Sequence, residues 1–422
     1  MTPSDVLTRL AIADAHELLA PHWQTSADCL PDQPAILDTS TIRAERSFVG
    51  LPSRFDTALT ETASRVAGSS DLSLLAWHCE RLLYDELEYD VTRSRAWPEV
   101  IQPLGEQTSL FYLLIALGAV RRMRSYHQNL GIPDQITRAT CTHFPAAAER
   151  LRMRSDLDGV GPEALYWLRN HTTGRLYCLG RLEYMLKPFR GGLTAYRHRD
   201  TGSVVALAAE GTCFDRKGLV SNQSQPGSEG SWVSTIESTG TEIFGSPISP
   251  TGYARREPVR LPLQDWQQAL SPGALIYEVH IPEGGGMTID ACQDSMRQAT
   301  EFFPRFFPEG QAVGFACGSW ILNPELELVY HAESNMVRWQ RELYLYPIQS
   351  GDRSGLHFIF GTGDVDPATA PRDTSLRRAL LDRLASGGRL IGGGMFMLLE
   401  DFDRFGGQIY RSNWPGVLDQ ID

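Results

Sequence analysis

Residues 275–322 read LIYEVHIPEGGGMTIDACQDSMRQATEFFPRFFPEGQAVGFACGSWIL. The run 275–281 alternates side chains about the chain axis and is closed by Pro282, which predicts a strand. Ile289, Cys292, Met296, Ala299, Phe303 and Phe306 then recur at spacings of three and four, which predicts a helix over 289–303 whose end Pro304 disturbs. A second apolar run, 311–322, predicts another strand. Strand, helix and strand in this order specify a sheet covered by helices.

Downstream, Asn323 as N-cap, Pro324 at the first helical position, and Glu325 and Glu327 beside the helix dipole predict a helix from 324 onward. A strand at 356–360, a helix at 376–384 and a closing strand at 389–399, interrupted by Gly392 to Gly394, complete this half. Upstream, 176–186 reads as a strand, and 196–207 as a hairpin turning at Asp200-Thr201-Gly202. The segment 221–230 (SNQSQPGSEG) has no large apolar anchor and reads as a flexible tip between short strands at 213–220 and 232–236. The glycine and proline content up to Pro262 marks a β-rich insertion at about 195–262.

The first third is helical in pattern. Leu72, Leu75, Cys79, Leu82, Leu83 and Leu87 follow the capping candidates Ser69 and Ser70, with Glu80 and Arg81 among the polar positions. The stretch 109–129 stops at Gly131, with Pro133 beyond. Helices at 137–154 and 162–170 follow. The fold class expected is α+β, with a helical domain over 1–171 and a sheet domain over 172–422.

Composition agrees. At 422 residues the chain exceeds one ordinary core, and 42% apolar with 21% charged residues is globular usage. A net charge of -12 disfavours nucleic acid or an anionic membrane as partner. The arginine clusters Arg121, Arg122, Arg124 and Arg150, Arg152, Arg154 read as solvated helix faces. Seven scattered cysteines (Cys29, Cys79, Cys141, Cys178, Cys213, Cys292 and Cys317) without a C-x-x-C pair fit reduced thiols and a cytoplasmic setting, and argue against a structural zinc. The amphipathic start (Leu7, Leu10, Ala11, Ala15, Leu18) does not read as a signal peptide, and the apolar run 110–120 is too short to span a bilayer.

Candidate chemistry gathers in the opening stretch. Glu278 and His280 share one face of their strand, about 7 Å apart by strand rise. They form either a general base or acid/base pair for a nucleophile such as an amine, or a hydrogen-bonded pair on a half-exposed strand. Gly284, Gly285, Gly286, Met287 and Thr288 precede the helix. They form either a cradle for the pyrophosphate of an acyl-CoA, or a tight turn to which the acids Glu283 and Asp290 belong. In 311–322 one face is small (Ala312, Gly314, Ala316, Gly318), open to a helix or an extended ligand arm. The other carries Cys317, which reads as a buried thiol, and Ser319, able to bond a carbonyl. Neither stands in a nucleophile elbow. His331 and His357 are isolated, and Glu400, Asp401 and Asp403 lack a calcium-loop pattern and read as a solvated loop, so no metal site is expected.

Four stretches carry a resemblance: 179–186 (LGRLEYML), 278–288 (EVHIPEGGGMT), 316–326 (ACGSWILNPEL) and 334–344 (SNMVRWQRELY). In this order they resemble bacterial proteins with an N-acyltransferase N-terminal helical domain followed by a GNAT-like C-terminal domain. The resemblance implies a GNAT-like α/β sheet and acyl transfer from acyl-CoA or acetyl-CoA to an amine or similar small acceptor. Glu278 or His280 would take the proton, Gly284 to Thr288 would meet the pyrophosphate, and the strand ending at Ser319 would flank the acyl arm. GNAT enzymes carry R/Q-x-x-G-x-G/A at this loop. Here 282–288 fills the place without the Arg or Gln, and RSDLDGVG at 154–161 has Asp156 where the Arg belongs. A catalytically silent binding module of the same fold is the competing reading.

Overall fold

The computed structural model describes residues 2–85, 88–220 and 226–421. The chain divides into two compact units, Met1–Cys178 and Leu179–Asp422. Leu87, and residues 221–225 of the expected loop tip, lie outside the described residues.

The first unit is helical. Helix α1 (Ser70–Tyr84) starts where Ser69 accepts a hydrogen bond from the Leu72 N–H at 3.4 Å, and it buries Leu72, Leu75, Cys79, Leu82 and Leu83. Helix α2 (Thr108–Leu130) is buried on nearly every side from Thr108 to Leu117, as a central core helix must be. It ends at Gly131, left-handed at φ 74°, with the Ile132 N–H returning to the His127 carbonyl at 2.9 Å. The single helix expected over 137–154 is two, Asp134–Thr140 and His143–Ser155. The break falls where Cys141 Sγ and the Thr140 and Thr142 hydroxyls each bond a carbonyl three or four residues back. No helix among the described residues is long and apolar enough to cross a membrane.

Glu80 corrects a sequence expectation: it is 3% exposed and not on a polar face. Its partner is Arg122 of α2, at 3.4 Å, a contact between positions 42 apart that helical periodicity in α1 does not encode. Burial pushes the Glu80 carboxyl up to about 7 despite that guanidinium. A folded value above the ordinary 4.5 of a glutamate means that Glu80 favours folding most below pH 4.5 and loses this contribution as pH rises through about 7. Glu80→Gln should therefore gain stability relative to the parent chain between about pH 5 and pH 8, by about 1–3 kcal/mol. Denaturant titration at both pH values reads this, and parallel pH profiles for the two chains would contradict it.

The second unit is built on a central sheet containing β1 (Leu182–Pro188), β2 (Leu275–His280), β3 (Gly314–Ser319), β4 (Tyr344–Pro347) and β5 (Gly393–Leu398), ordered β1-β2-β3-β5-β4. The β2–β3 pair is parallel, and the β1–β2, β3–β5 and β5–β4 pairs are antiparallel. Where one strand was expected over 176–186 there are two, Leu176–Leu179 and Leu182–Pro188, because Gly180 turns at φ 72°. Helix α3 (Ile289–Phe306) covers one face with Cys292, Met296, Ala299, Phe302 and Phe303 buried. Phe303 stacks on Tyr277 at 4.7 Å between ring centres. Tyr277 and Val279 thus lie beneath α3, leaving Ile276 and Glu278 on the opposite face, as alternation required. Pro304 does not end the helix, which runs on to Phe306 within an aromatic cluster with Phe302 and Phe307.

A smaller five-stranded sheet, including the hairpin Leu193–His198 and Val204–Ala208, packs onto the central one. The Tyr344 hydroxyl joins the two, accepting from the Ala206 N–H at 3.1 Å and donating to the Ile248 carbonyl. Three other expectations change. Leu356–Phe360 is a helix and not a strand. Leu356, Ile359 and Phe360 pack together on Leu380 and Leu381, a spacing of three and four, and Gly355 and Gly361 bracket the turn with positive φ. The helix from Pro324 is a 3-10 turn ending at Leu328, and a separate α-helix follows at Asn335–Glu342. Asp401 is fully buried and not solvated, accepting from Arg197 at 2.6 Å and from the Tyr410 hydroxyl at 2.8 Å.

Candidate active site

The site begins with an incomplete ladder. β2 pairs with β1 at all six positions, and β3 pairs with β5 at all six. Between β2 and β3 only Tyr277↔Phe315 and Glu278↔Ala316 are in register. Beyond that pair β2 and β3 have no further residues in register. Because the strands are parallel, the glycine loop after β2 and Ser319 at the end of β3 stand at this same open end.

On the face opposite α3 lies a cleft of about 540 Å³. Ile276, Glu278, Ala316, Cys317, Gly318 and Tyr346 form its floor, and segments 188–192 and 212–214 contribute further walls. Gly394 sits directly under Tyr346, where a Cβ would come within 2.3 Å of the ring. That close approach lets the phenol lie across β5 toward the cleft.

Glu278 is the charged centre of the floor. Its Oε2 accepts from Lys187 Nζ at 2.8 Å and shares a hydrogen bond with His280 Nε2 at 2.9 Å. Both bonds fall on Oε2, and Oε1 has no partner among the described residues. Burial alone would raise this carboxyl, but His280 and Lys187 outweigh it and hold it at about 2. The pair expected from the strand pattern is thus in direct contact. Lys187 was not legible, because it reaches Glu278 diagonally across a strand pair whose partners are 91 residues apart.

Tyr346 also escaped the sequence reading. It is buried, and burial raises its hydroxyl well above the usual phenol range, so it stays protonated. Cys317 lines the cleft, and burial pushes its thiol up to about 12, with the Glu278 charge adding to the rise. Such a thiol is a poor nucleophile. Alkylation at about pH 8 should modify the exposed Cys29 well before Cys317, and Cys317 reacting first would overturn this reading.

Gly284, Gly285, Gly286 and Met287 form the loop after β2, outside the lining of the cleft, and Thr288 caps α3 by accepting from the Ala291 N–H at 3.3 Å. Arg181, from the turn before β1, donates to the Gly286 carbonyl at 3.1 Å and the Gly285 carbonyl at 3.3 Å. A guanidinium therefore stands at the loop although the loop's own sequence has none. Ser319 is half-buried at the end of β3 and is not part of the cleft wall.

A helical unit followed by an α/β sheet with one opened parallel pair defines the structural class. The model for the N-acyltransferase N-terminal domain matches residues 45–174, and the model for the GNAT-like C-terminal domain matches residues 176–396, more than half of the chain. This chain belongs to the family that joins these two domains. Solved structures similar to it include an acyltransferase in complex with decanoyl-CoA and teicoplanin (19% identity, TM-score 0.63), one in complex with CoA and 10C-teicoplanin (19%, 0.64), and one in complex with decanoyl-CoA (18%, 0.61). Each comparison covers 94% of this chain and 100% of the other. At that identity the likeness is one of fold. Among curated proteins none is significantly similar.

Proposed function

We propose that this protein transfers an acyl group from acyl-CoA to an amine or similar small acceptor, by direct attack in a ternary complex. The observation that carries the reading is the ladder between β2 and β3 that stops at Glu278 and Ala316. An acyl-pantetheine arm is extended and carries amides, so it suits the backbone edges of two strands beyond their last paired register. The pyrophosphate would then meet Gly284 to Thr288 and the start of α3, where free N–H groups favour anions and Arg181 adds a positive charge. Ser319, at the same open end, would bond the arm. The similar solved acyltransferases hold CoA or decanoyl-CoA, which supports this choice of donor.

The acceptor amine would enter from the cleft toward Oε1 of Glu278. As nitrogen attacks the thioester carbon, the C–S bond breaks and the amine's proton passes to the Glu278–His280 pair. A carboxylate held at about 2 keeps no proton at neutral pH. His280 is accordingly the proton's resting place, and Glu278 orients it and steadies the imidazolium. Tyr346, kept protonated by burial, would donate a hydrogen bond to the departing thiolate.

Calorimetric titration with CoA and decanoyl-CoA should show binding, and its absence at millimolar ligand would overturn the reading. Glu278→Gln should lower kcat by about 100-fold while leaving the affinity for acyl-CoA unchanged. One observation favours a second reading, a binding protein without turnover: the loop lacks the family's Arg or Gln and has Glu283 and Asp290 close by. Acyl-CoA binding with no transfer to any amine of a broad panel would select it.

A further inference from the structure

We propose that the acceptor carries a carboxylate as well as its amine, and that Arg190 is the residue that recognises it, so that the acceptor class is amino acids or short peptides with a free C-terminus. This rests on the acyl-transfer reading, which supplies the amine's place at Glu278.

Arg190 and Glu278 are the charged side chains among the described residues that line the cleft. The rest of the wall is apolar or neutral, with Phe189, Phe214, Ile276 and Ile348 beside Thr212 and Gln349. Arg190 has no hydrogen bond or ion pair among the described residues. Four buried or half-buried arginines of this unit are paired, Arg197 to Asp401, Arg383 to Glu325, Arg389 to Asp215 and Arg411 to Glu327, and Arg190 is the arginine that lines the cleft. Among the described residues the cleft therefore presents a guanidinium and, on Glu278, a carboxylate oxygen without a protein partner.

The backbone under Arg190 is fixed. The Phe189 N–H donates to the Ala274 carbonyl at 2.8 Å, and the Gly273 N–H donates to the Phe189 carbonyl at 2.9 Å. A Cβ on Gly191 would come within 2.2 Å of the Phe189 ring, so a larger residue here would displace that ring. Pro188 pairs with Leu275, the first residue of β2, which puts Arg190 past the end of that strand opposite the glycine loop. The strand's own rise of about 16 Å separates those ends, so Arg190 serves a different anion from the pyrophosphate.

Glu278 lies three residues into β2, between Arg190 and the loop. A guanidinium and a carboxylate displaced along one apolar cleft complement a molecule with an anion at one end and an amine at the other. A planar guanidinium binds a carboxylate through two parallel hydrogen bonds, which fixes orientation as well as affinity. A volume of about 540 Å³ is of the size that holds a small molecule or short peptide.

The test uses the full chain and the dipeptide Phe-Gly, its C-terminal amide, and phenethylamine. Binding is followed by calorimetry without acyl-CoA, so the readout does not depend on turnover. Phe-Gly should bind at least about tenfold more tightly than the other two probes. Arg190→Gln should remove that preference while decanoyl-CoA binds the variant as it binds the parent. Equal binding of acid and amide, a preference that survives in Arg190→Gln, or no binding of Phe-Gly at millimolar concentration would each overturn the proposal. Failure of decanoyl-CoA to bind the parent chain would instead remove the acyl-transfer reading, a separate outcome in the same experiment.

Discussion

The parallel pairing of β2 with β3 is the constraint on which the rest of the sheet unit turns. Two registers pair these strands with each other, while β2 pairs with β1 and β3 with β5 over six registers each. A sheet normally satisfies its backbone internally, because each buried N–H or C=O left without a partner costs free energy comparable to a lost hydrogen bond. Here the ladder stops at Glu278 and Ala316, at the end of the pair where the glycine loop, the start of α3 and Ser319 stand. Tyr277 and Phe315 form the first of the two registers, and their rings pack against each other with Phe303 stacked on Tyr277.

On the cleft face, burial and pairing sort the titratable groups into distinct roles. Cys317 and Tyr346 have burial without a cation beside them, and both are held protonated. Glu278 is also partly buried, yet Lys187 and His280 on one of its oxygens reverse the direction and keep it ionised. Glu278 thus stays ionised beside a neutral thiol and a neutral phenol.

The fold was legible wherever one element declared its own period. Strand β2, helix α3, the Asp200-Thr201-Gly202 hairpin and the end of α2 at Gly131 all follow from spacing and local turn chemistry. The reading failed where the pattern was too short or a distant partner decided. Five residues at 356–360 fit either period, and packing on Leu380 and Leu381 chose the helix. Asp401 looked like a loop carboxylate until Arg197, 204 positions away, enclosed it.

The sequence by itself determined the class of fold, the placing of Glu278 and His280 on one strand face, and the glycine loop ahead of a capped helix. Each is a local property, written in residues a few positions apart. Only the tertiary structure decided that the β2–β3 ladder stops after two registers, that Lys187 joins His280 in holding Glu278 ionised, and that Arg181 brings positive charge to a loop lacking its own. It also set Arg190 beyond the far end of β2 from that loop. Register between strands, and charge between segments roughly a hundred residues apart, depend on how the chain closes on itself, and no local period records them.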